Sequence, residues 1–202
     1  MKVIDTAIEG VKIVEPDRFG DSRGWFCETY NAERYKKAGI TSDFVQDNES
    51  FSHKGVIRGL HWQAMPHTQA KLVRVIRGAV WDVAVDIRRG SPTYGQHVAC
   101  CLYAEDSEYA KLLTANGQRI TPNRQLFVPR GFAHGFIVLE DNTLFSYKCD
   151  NLYCPSADRG MRFDDPALNV VWPDLGMPLT LSEKDKKHPL FDAIEPWIDS
   201  VC

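Results

Sequence analysis

The sequence holds no run of about 18 apolar residues, so no membrane-spanning helix is expected. It has no basic stripe either: 24 lysines and arginines face 27 acidic residues, giving a formal net charge of −3. A field of that sign argues against a nucleic-acid partner. The opening MKVIDTAIEGVKIVEP lacks the apolar core of a secretion signal. The six cysteines (Cys27, Cys100, Cys101, Cys149, Cys154 and Cys202) include no CxxC pair. Free thiols in a reducing cytoplasm are therefore expected, not a disulfide framework. No internal repeat, low-complexity tract or interdomain linker is visible, and residues 1–202 read as one domain with a short C-terminal tail.

Helix signals are few. NAERYKKAG has Asn31 as N-cap and Gly39 as stop, AEDSEYAKLLTANG ends at Gly117, and LSEKDKKHPL starts from a Ser182 cap and stops before Pro189. Strand pattern dominates. KLVRVIRGAVWDVAVDIRRGSPTYG alternates around Val73, Val75, Val83 and Val85, with Gly78 as a turn or bulge. VKIVEP, WFCETY, GVIRGLHWQ, HVACCLY, QLFVP, GFIVLE and TLFSYKCD are further short strands between Gly, Pro, Asn and Asp clusters. Many short strands with such turns predict an all-β sandwich or barrel. Cys100 and Cys101, adjacent in one strand, should face opposite ways.

Polar and ionisable residues gather in QDNES, RGLHWQ, KLVR, FAHGF, YKCDNLY and LSEKD. In a regular strand Arg58 and His61 would face opposite sides, and a bulge at Gly59 would bring them together. A metal site would want two histidines one residue apart with a carboxylate nearby, but Gln63 holds the second position. His134 could supply a later ligand. The bland alternative makes His61 and His134 hydrogen-bonded core histidines. The catalytic alternative makes His61 a base and Lys71 the holder of an oxyanion. Tyr147 or Tyr153 is then the acid, and a carboxylate such as Asp185 sits on the far imidazole nitrogen.

These segments, in order, resemble the dTDP-4-dehydrorhamnose 3,5-epimerases. The resemblance runs through FGDSRGWFCETY, FVQDNES, GVIRGLHWQ, the long KLVRVIRG strand, LFVPRGFAHGFIVL, the YKCDNLYCPSADRGMRFDDPALNVVWP stretch and LSEKDKKHPL. It implies a cupin-type jelly-roll barrel with a few short helices and no cofactor or metal. It also implies inversion at C3 and C5 of a nucleotide-linked 4-keto-6-deoxyhexose. His61 would be the base, Tyr147 the acid, Lys71 the enolate partner and Asp185 the group orienting His61. Arg23, Glu28, Gln46, Asp47, Asn48, Arg58, His134, Tyr153, Asp158 and Lys184 would bind substrate, with Arg58 on the diphosphate and Tyr153 stacked on the base. A homodimer with an exchanged N-terminal arm is implied as well.

Three residue readings compete with these. Tyr153 could simply be exposed in a turn, Lys184 could belong to a solvated charged run, and the FDDP carboxylates read as a turn. Two departures from the family pattern stand out. Residues 104–124 form an insertion that could lean over the mouth, and Asp158 stands where a glutamate is common, so a substrate contact there could be shortened. Enzymes acting at C3 only or C5 only, including on GDP-heptoses, would share the same chemical residues. A metal-dependent cupin and a non-catalytic sugar-binding barrel are the more distant alternatives.

Overall fold

The computed structural model describes residues 1–117, 121–195 and 197. Its strands are β1 (Lys2–Asp5), β2 (Lys12–Glu15), β3 (Arg18–Asp21), β4 (Gly24–Cys27), β5 (Gln46–Ser52), β6 (Ile57–Gln63), β7 (Lys71–Arg77), β8 (Ala79–Asp86), β9 (His97–Tyr103), β10 (Gln125–Val128), β11 (Phe132–Val138), β12 (Thr143–Cys149) and β13 (Asp158–Gly160). A six-stranded sheet runs β1-β2-β10-β7-β12-β5, and a five-stranded sheet runs β13-β6-β11-β8-β9. β3 and β4 pair only with each other. Two facing sheets built from antiparallel pairs make the cupin-type jelly roll.

Period-two alternation decides what goes inside. Val73, Val75, Leu126, Val128 and Phe145 of the six-stranded sheet meet Val80, Ala84, Leu102, Phe132, Phe136 and Val138 of the other in the central core. The intervening residues cover the outer faces. Leu72 and Phe127 pack on Tyr35 and Ile40. Val83, Val85 and Ala133 pack on Met161, Leu168, Ile194 and Trp197.

The long alternating segment is divided as expected at Gly78, which has φ +81°. Its halves do not form one hairpin: β7 lies in one sheet and β8 in the other. Beyond Asp86 the chain turns, because that carboxylate gathers Arg88, Ser91 and Thr93 within 2.6–2.9 Å. Cys100 packs into the central core and Cys101 against the separate cluster of Ala79, Tyr103 and Ala110, so the neighbours face opposite ways. Cys27, Cys100, Cys101, Cys149 and Cys154 are unbridged; Cys202 lies outside the described residues.

Helix α1 (Ala32–Lys37) starts at Asn31, whose side chain accepts from the Arg34 N–H at 3.1 Å. Helix α2 (Glu108–Ala115) starts at Ser107, whose hydroxyl accepts from the Ala110 N–H. Glu140 accepts from the N–H groups of Glu108 and Tyr109 in its first turn. This helix lies within the insertion and docks Ala110 on Ala79 and Tyr103.

The helix expected in LSEKDKKHPL is a correction. Only a 3₁₀ turn forms, at Asp185–Lys187, followed by another at Phe191–Ala193. Ser182 Oγ accepts from the Asp185 N–H at 3.0 Å, but Lys184 holds the N-cap position and its side chain makes no cap bond. Pro189 drives His188 to extended backbone, φ −63° and ψ 147°, and ends the turn.

The bulge expected at Gly59 is present. His134 faces His61 and Phe136 faces Arg58, so three steps on β6 match two on β11. Gly59 has φ +123°, and a Cβ there would lie 2.5 Å from Gly135 Cα and 2.8 Å from the His134 carbonyl oxygen. Both obstacles are backbone. Gly59→Ala should therefore lower stability by at least about 2–3 kcal/mol. Differential scanning calorimetry should show a Tm loss on the order of 10 °C at 2–4 °C per kcal/mol. Gly20→Ala, whose Cβ would meet only an ordinary 3.7 Å contact, serves as the control.

Candidate active site

The extra residue at Gly59 changes the phase of β6, so Arg58 and His61 line the same cavity. That cavity holds about 470 Å³ between the sheets, and its walls include Lys71, His134, Phe136, Phe145, Tyr147, Lys184 and Asp185. An adjoining lobe of about 320 Å³ shares His61, Lys71 and Tyr147 and adds Gln46, Asn48, Gln63, Tyr153 and Asp158. His61 and His134 stand on the five-stranded sheet. Lys71, Tyr147 and Asn48 stand on the six-stranded sheet opposite.

His61 Nε2 lies 2.5 Å from Asp185 Oδ1. Asp185 is buried. Burial alone would raise its carboxyl, but hydrogen bonds from His61 and Ser182 and the charge of nearby histidines prevail and hold it below the ordinary carboxylate value. When the imidazole is neutral, an ionised Asp185 favours the tautomer that donates Nε2–H to it, leaving Nδ1 as the lone-pair nitrogen.

Lys71 faces Cys149 across β7 and β12. Its accessible surface lies in the cavity and protein atoms enclose the rest; this burial pulls its ammonium down from 10.5 despite opposing help from Cys149, Asp158 and Asp82. Burial likewise pushes the Tyr147 phenol up, so Tyr147 is a protonated donor at neutral pH.

His134 Nε2 bonds Asp82 Oδ1 at 2.9 Å, and both residues are buried. Burial raises the Asp82 carboxyl against the pull of His134 and Lys71. The metal arrangement considered from sequence, His61 with His134 and a third ligand, does not form: each histidine is held by its own carboxylate. Asp82 was not foreseen, although an acid inside the apolar run VWDVAVD was the available signal.

The remaining candidates divide by location. Arg58 donates to Ser52 Oγ at 3.1 and 3.2 Å beside the cavity. Gln46 Oε1 accepts from the Tyr153 N–H at 2.8 Å. The Tyr153 hydroxyl donates to Asp158 Oδ2 at 3.0 Å, and Lys184 pairs with the same oxygen. Burial opposes ionisation of Asp158, yet these two bonds and nearby positive charge hold its carboxyl low. Tyr153 itself is 54% exposed, leaving a ring face open at the cavity rim.

Asp47 points to the outer side, paired with Lys148 at 2.8 Å. Arg23 sits at the β3–β4 tip against Asp21, and Glu28 is tied to Arg34 and Asn31. Within one chain these three do not reach the cavity walls. The described part of the insertion does not line them either.

A base held by a buried carboxylate, a cation and a neutral phenol across one cavity is the equipment for moving a proton next to a carbonyl. The family model for dTDP-4-dehydrorhamnose 3,5-epimerase matches residues 5–193. The chain belongs to the dTDP-4-dehydrorhamnose 3,5-epimerase family. It is 47% identical over 186 residues to the dTDP-4-dehydrorhamnose 3,5-epimerase of Shigella flexneri, covering 92% of this chain and 93% of that one. It superposes with TM-score 0.85 and 45% identity on a Legionella pneumophila dTDP-6-deoxy-D-glucose-3,5-epimerase in complex with dTDP-4-keto-L-rhamnose, covering 96% of this chain and 94% of that chain. A 3′-monoepimerase from Streptomyces bikiniensis in complex with dTDP-quinovose is similar at TM-score 0.79 and 31% identity, covering 93% and 86%. Structures similar to this chain thus carry names for one inversion and for two.

Proposed function

We propose that this chain epimerises dTDP-4-dehydro-6-deoxy-D-glucose at C3 and C5, giving dTDP-4-dehydro-L-rhamnose. One observation carries the residue assignments: the His61–Asp185 pair and the Lys71–Tyr147 pair occupy opposite walls of one cavity. The C4 ketone acidifies the hydrogens on C3 and C5. His61 Nδ1 removes one of them, and the C–H electron pair becomes the enolate double bond. The carbonyl π electrons move to oxygen, where the Lys71 ammonium meets the new charge. Tyr147 then gives its phenolic proton to the carbon from the other face, the carbonyl re-forms and the centre is inverted. Asp185 stabilises the imidazolium that forms at His61.

Arg58 and Lys184 supply cationic groups at the walls for the diphosphate and sugar. Gln46, Asn48 and Asp158 supply polar contacts in the adjoining lobe, and Tyr153 offers a stacking face for the base. Arg23, Glu28 and Asp47 are read as contacts completed between subunits. The β3–β4 hairpin supports that reading, because Phe19, Trp25 and Phe26 on it are 53–68% exposed. We read it as the arm of a homodimer, which light scattering on the purified chain would measure. A cytoplasmic setting agrees with the five unbridged cysteines. Among the described residues no helix is long and apolar enough to cross a membrane.

The test is proton NMR of the substrate in D₂O with chelator-treated enzyme. Deuterium entering at both C3 and C5 is the expected result. Exchange at C3 alone would reassign the chain beside the Streptomyces bikiniensis relative, and no exchange would defeat the proposal. Tyr147→Phe should separate the two half-reactions, lowering inversion by about 10²–10⁴-fold while C–H exchange continues through His61. Equal losses of exchange and inversion would place the acid elsewhere.

A further inference from the structure

His188 has no part in the reaction above. Its side chain is only 10% exposed. It is wedged over Gly160, where a Cβ would fall 2.3 Å from His188 Nε2. That nitrogen has no hydrogen-bond partner among the described residues, although it lies 3.4 Å from Asp185 Oδ1. The ring stands edge-on to His61 at 5.5 Å between centroids. One ligand atom each from His61, Asp185 and His188 consequently falls within a 4.8 Å cluster.

Two imidazoles and a carboxylate are a donor set for zinc and its neighbours in the first transition row. With bonds of about 2.0–2.2 Å, tetrahedral donors sit roughly 3.3 Å apart. The His188–Asp185 separation of 3.4 Å already meets this. The His61–Asp185 separation of 2.5 Å must open by less than about 1 Å to do so. His61, 30% exposed on its cavity side, has room to swing.

We propose that His61, Asp185 and His188 form an inhibitory site for a divalent transition ion, with Zn²⁺ the best fit. The inhibitory part rests on the epimerase reading; the binding part does not. A neutral imidazole carries one N–H. When an ion takes His61 Nε2 and Asp185 lets go of it, that proton resides on Nδ1. Nδ1 is the nitrogen that must accept the sugar proton, so an occupied site has no base. No redox change and no net proton transfer at His61 is involved. The ion also gives the buried His188 nitrogen the partner it lacks. Mg²⁺, which prefers oxygen ligands and its own water, should leave the site empty.

The experiment titrates chelator-treated protein with Co²⁺, followed by visible absorption, and with Zn²⁺, followed by calorimetry and turnover. The expected result is one ion per chain and turnover that falls as the site fills, returns with EDTA and ignores Mg²⁺. His188→Gln should keep metal-free turnover yet need at least about tenfold more Zn²⁺. Removing a group that merely supports a metal ligand already costs about 10–100-fold in affinity. His188→Asn gives the same comparison should the glutamine variant fold poorly. Equal Zn²⁺ affinity in parent and variants would overturn the site. Binding without loss of turnover would overturn the inhibition. Were the chain inactive on the dTDP sugar, the cobalt spectra of parent and variants would still decide whether the site exists.

Discussion

His61→Ala is expected to lose at least about 10²–10⁴-fold in kcat, the range supplied by a positioned general base. Among the described residues, His61 is the one cavity imidazole that pairs with Asp185 and is still partly open to the cavity, so loss of its Nδ1 removes the proposed base. His134 cannot replace it: His134 is 6% exposed and its Nε2 is engaged by Asp82. The fold should tolerate the change. His61 is partly open to the cavity, and the turn that carries Asp185 keeps its own Ser182 bond. Steady-state kinetics, circular dichroism and deuterium exchange together test this. Exchange at C3 or C5 that persists at the parent rate would remove His61 from the role of base.

Lys71→Met is expected to move activity and stability in opposite directions. Turnover should fall by about 10²–10³-fold, the effect of removing a donor to a developing oxyanion. Stability at neutral pH should rise by about 1 kcal/mol or more, roughly 2–4 °C in Tm for a chain of this length. The sign follows from the ammonium's enclosure, which pulls its folded-state pKa below 10.5. Below the folded-state pKa both folded and unfolded chains hold the proton, and the folded chain bears the full desolvation cost. As pH rises from that pKa toward 10.5, the unfolded chain holds more protons than the folded one. Parent stability therefore gains with pH through that window. The methionine variant should lack this gain, which denaturation at stepped pH would reveal. The alkaline limb of parent activity should report Lys71, because burial moves Tyr147 the other way.

The β character was legible because it rests on local pattern. Alternation in KLVRVIRG marked β7, and the cap at Asn31 is read from a single side chain, whereas the Ser107 cap of α2 emerged only in the structure. The bulge at Gly59 was legible as a possibility because only glycine permits it. That Asp185 reaches His61, 124 positions away in sequence, came from family resemblance and not from spacing. Long-range contacts of this kind have no periodic signature. Asp82 and His188 were missed for the same reason: an acid in an apolar strand and a histidine before a proline acquire meaning only when the sheets close. The LSEKDKKHPL turn misled because Ser182 does hold the Asp185 N–H, but from outside the cap position, and Pro189 leaves no length for a second turn.

Gly78 separates two strands that diverge into facing sheets, and this has a stereochemical consequence. Inverting a carbon requires a proton to leave one side of the sugar ring and another to arrive from the opposite side. His61 belongs to one sheet and Tyr147 to the other, so with the proposed base and acid the two directions of approach are the two walls of the sandwich. Face-to-face sheets sit about 10 Å apart, which leaves space for one flat ring between two side chains. On the proposed mechanism the barrel acts as a caliper: its wall spacing, set by core residues such as Val75, Phe136 and Phe145, fixes the reach of both proton transfers at once. Enlarging or shrinking those core residues should slow both proton transfers without touching a single group that exchanges a proton.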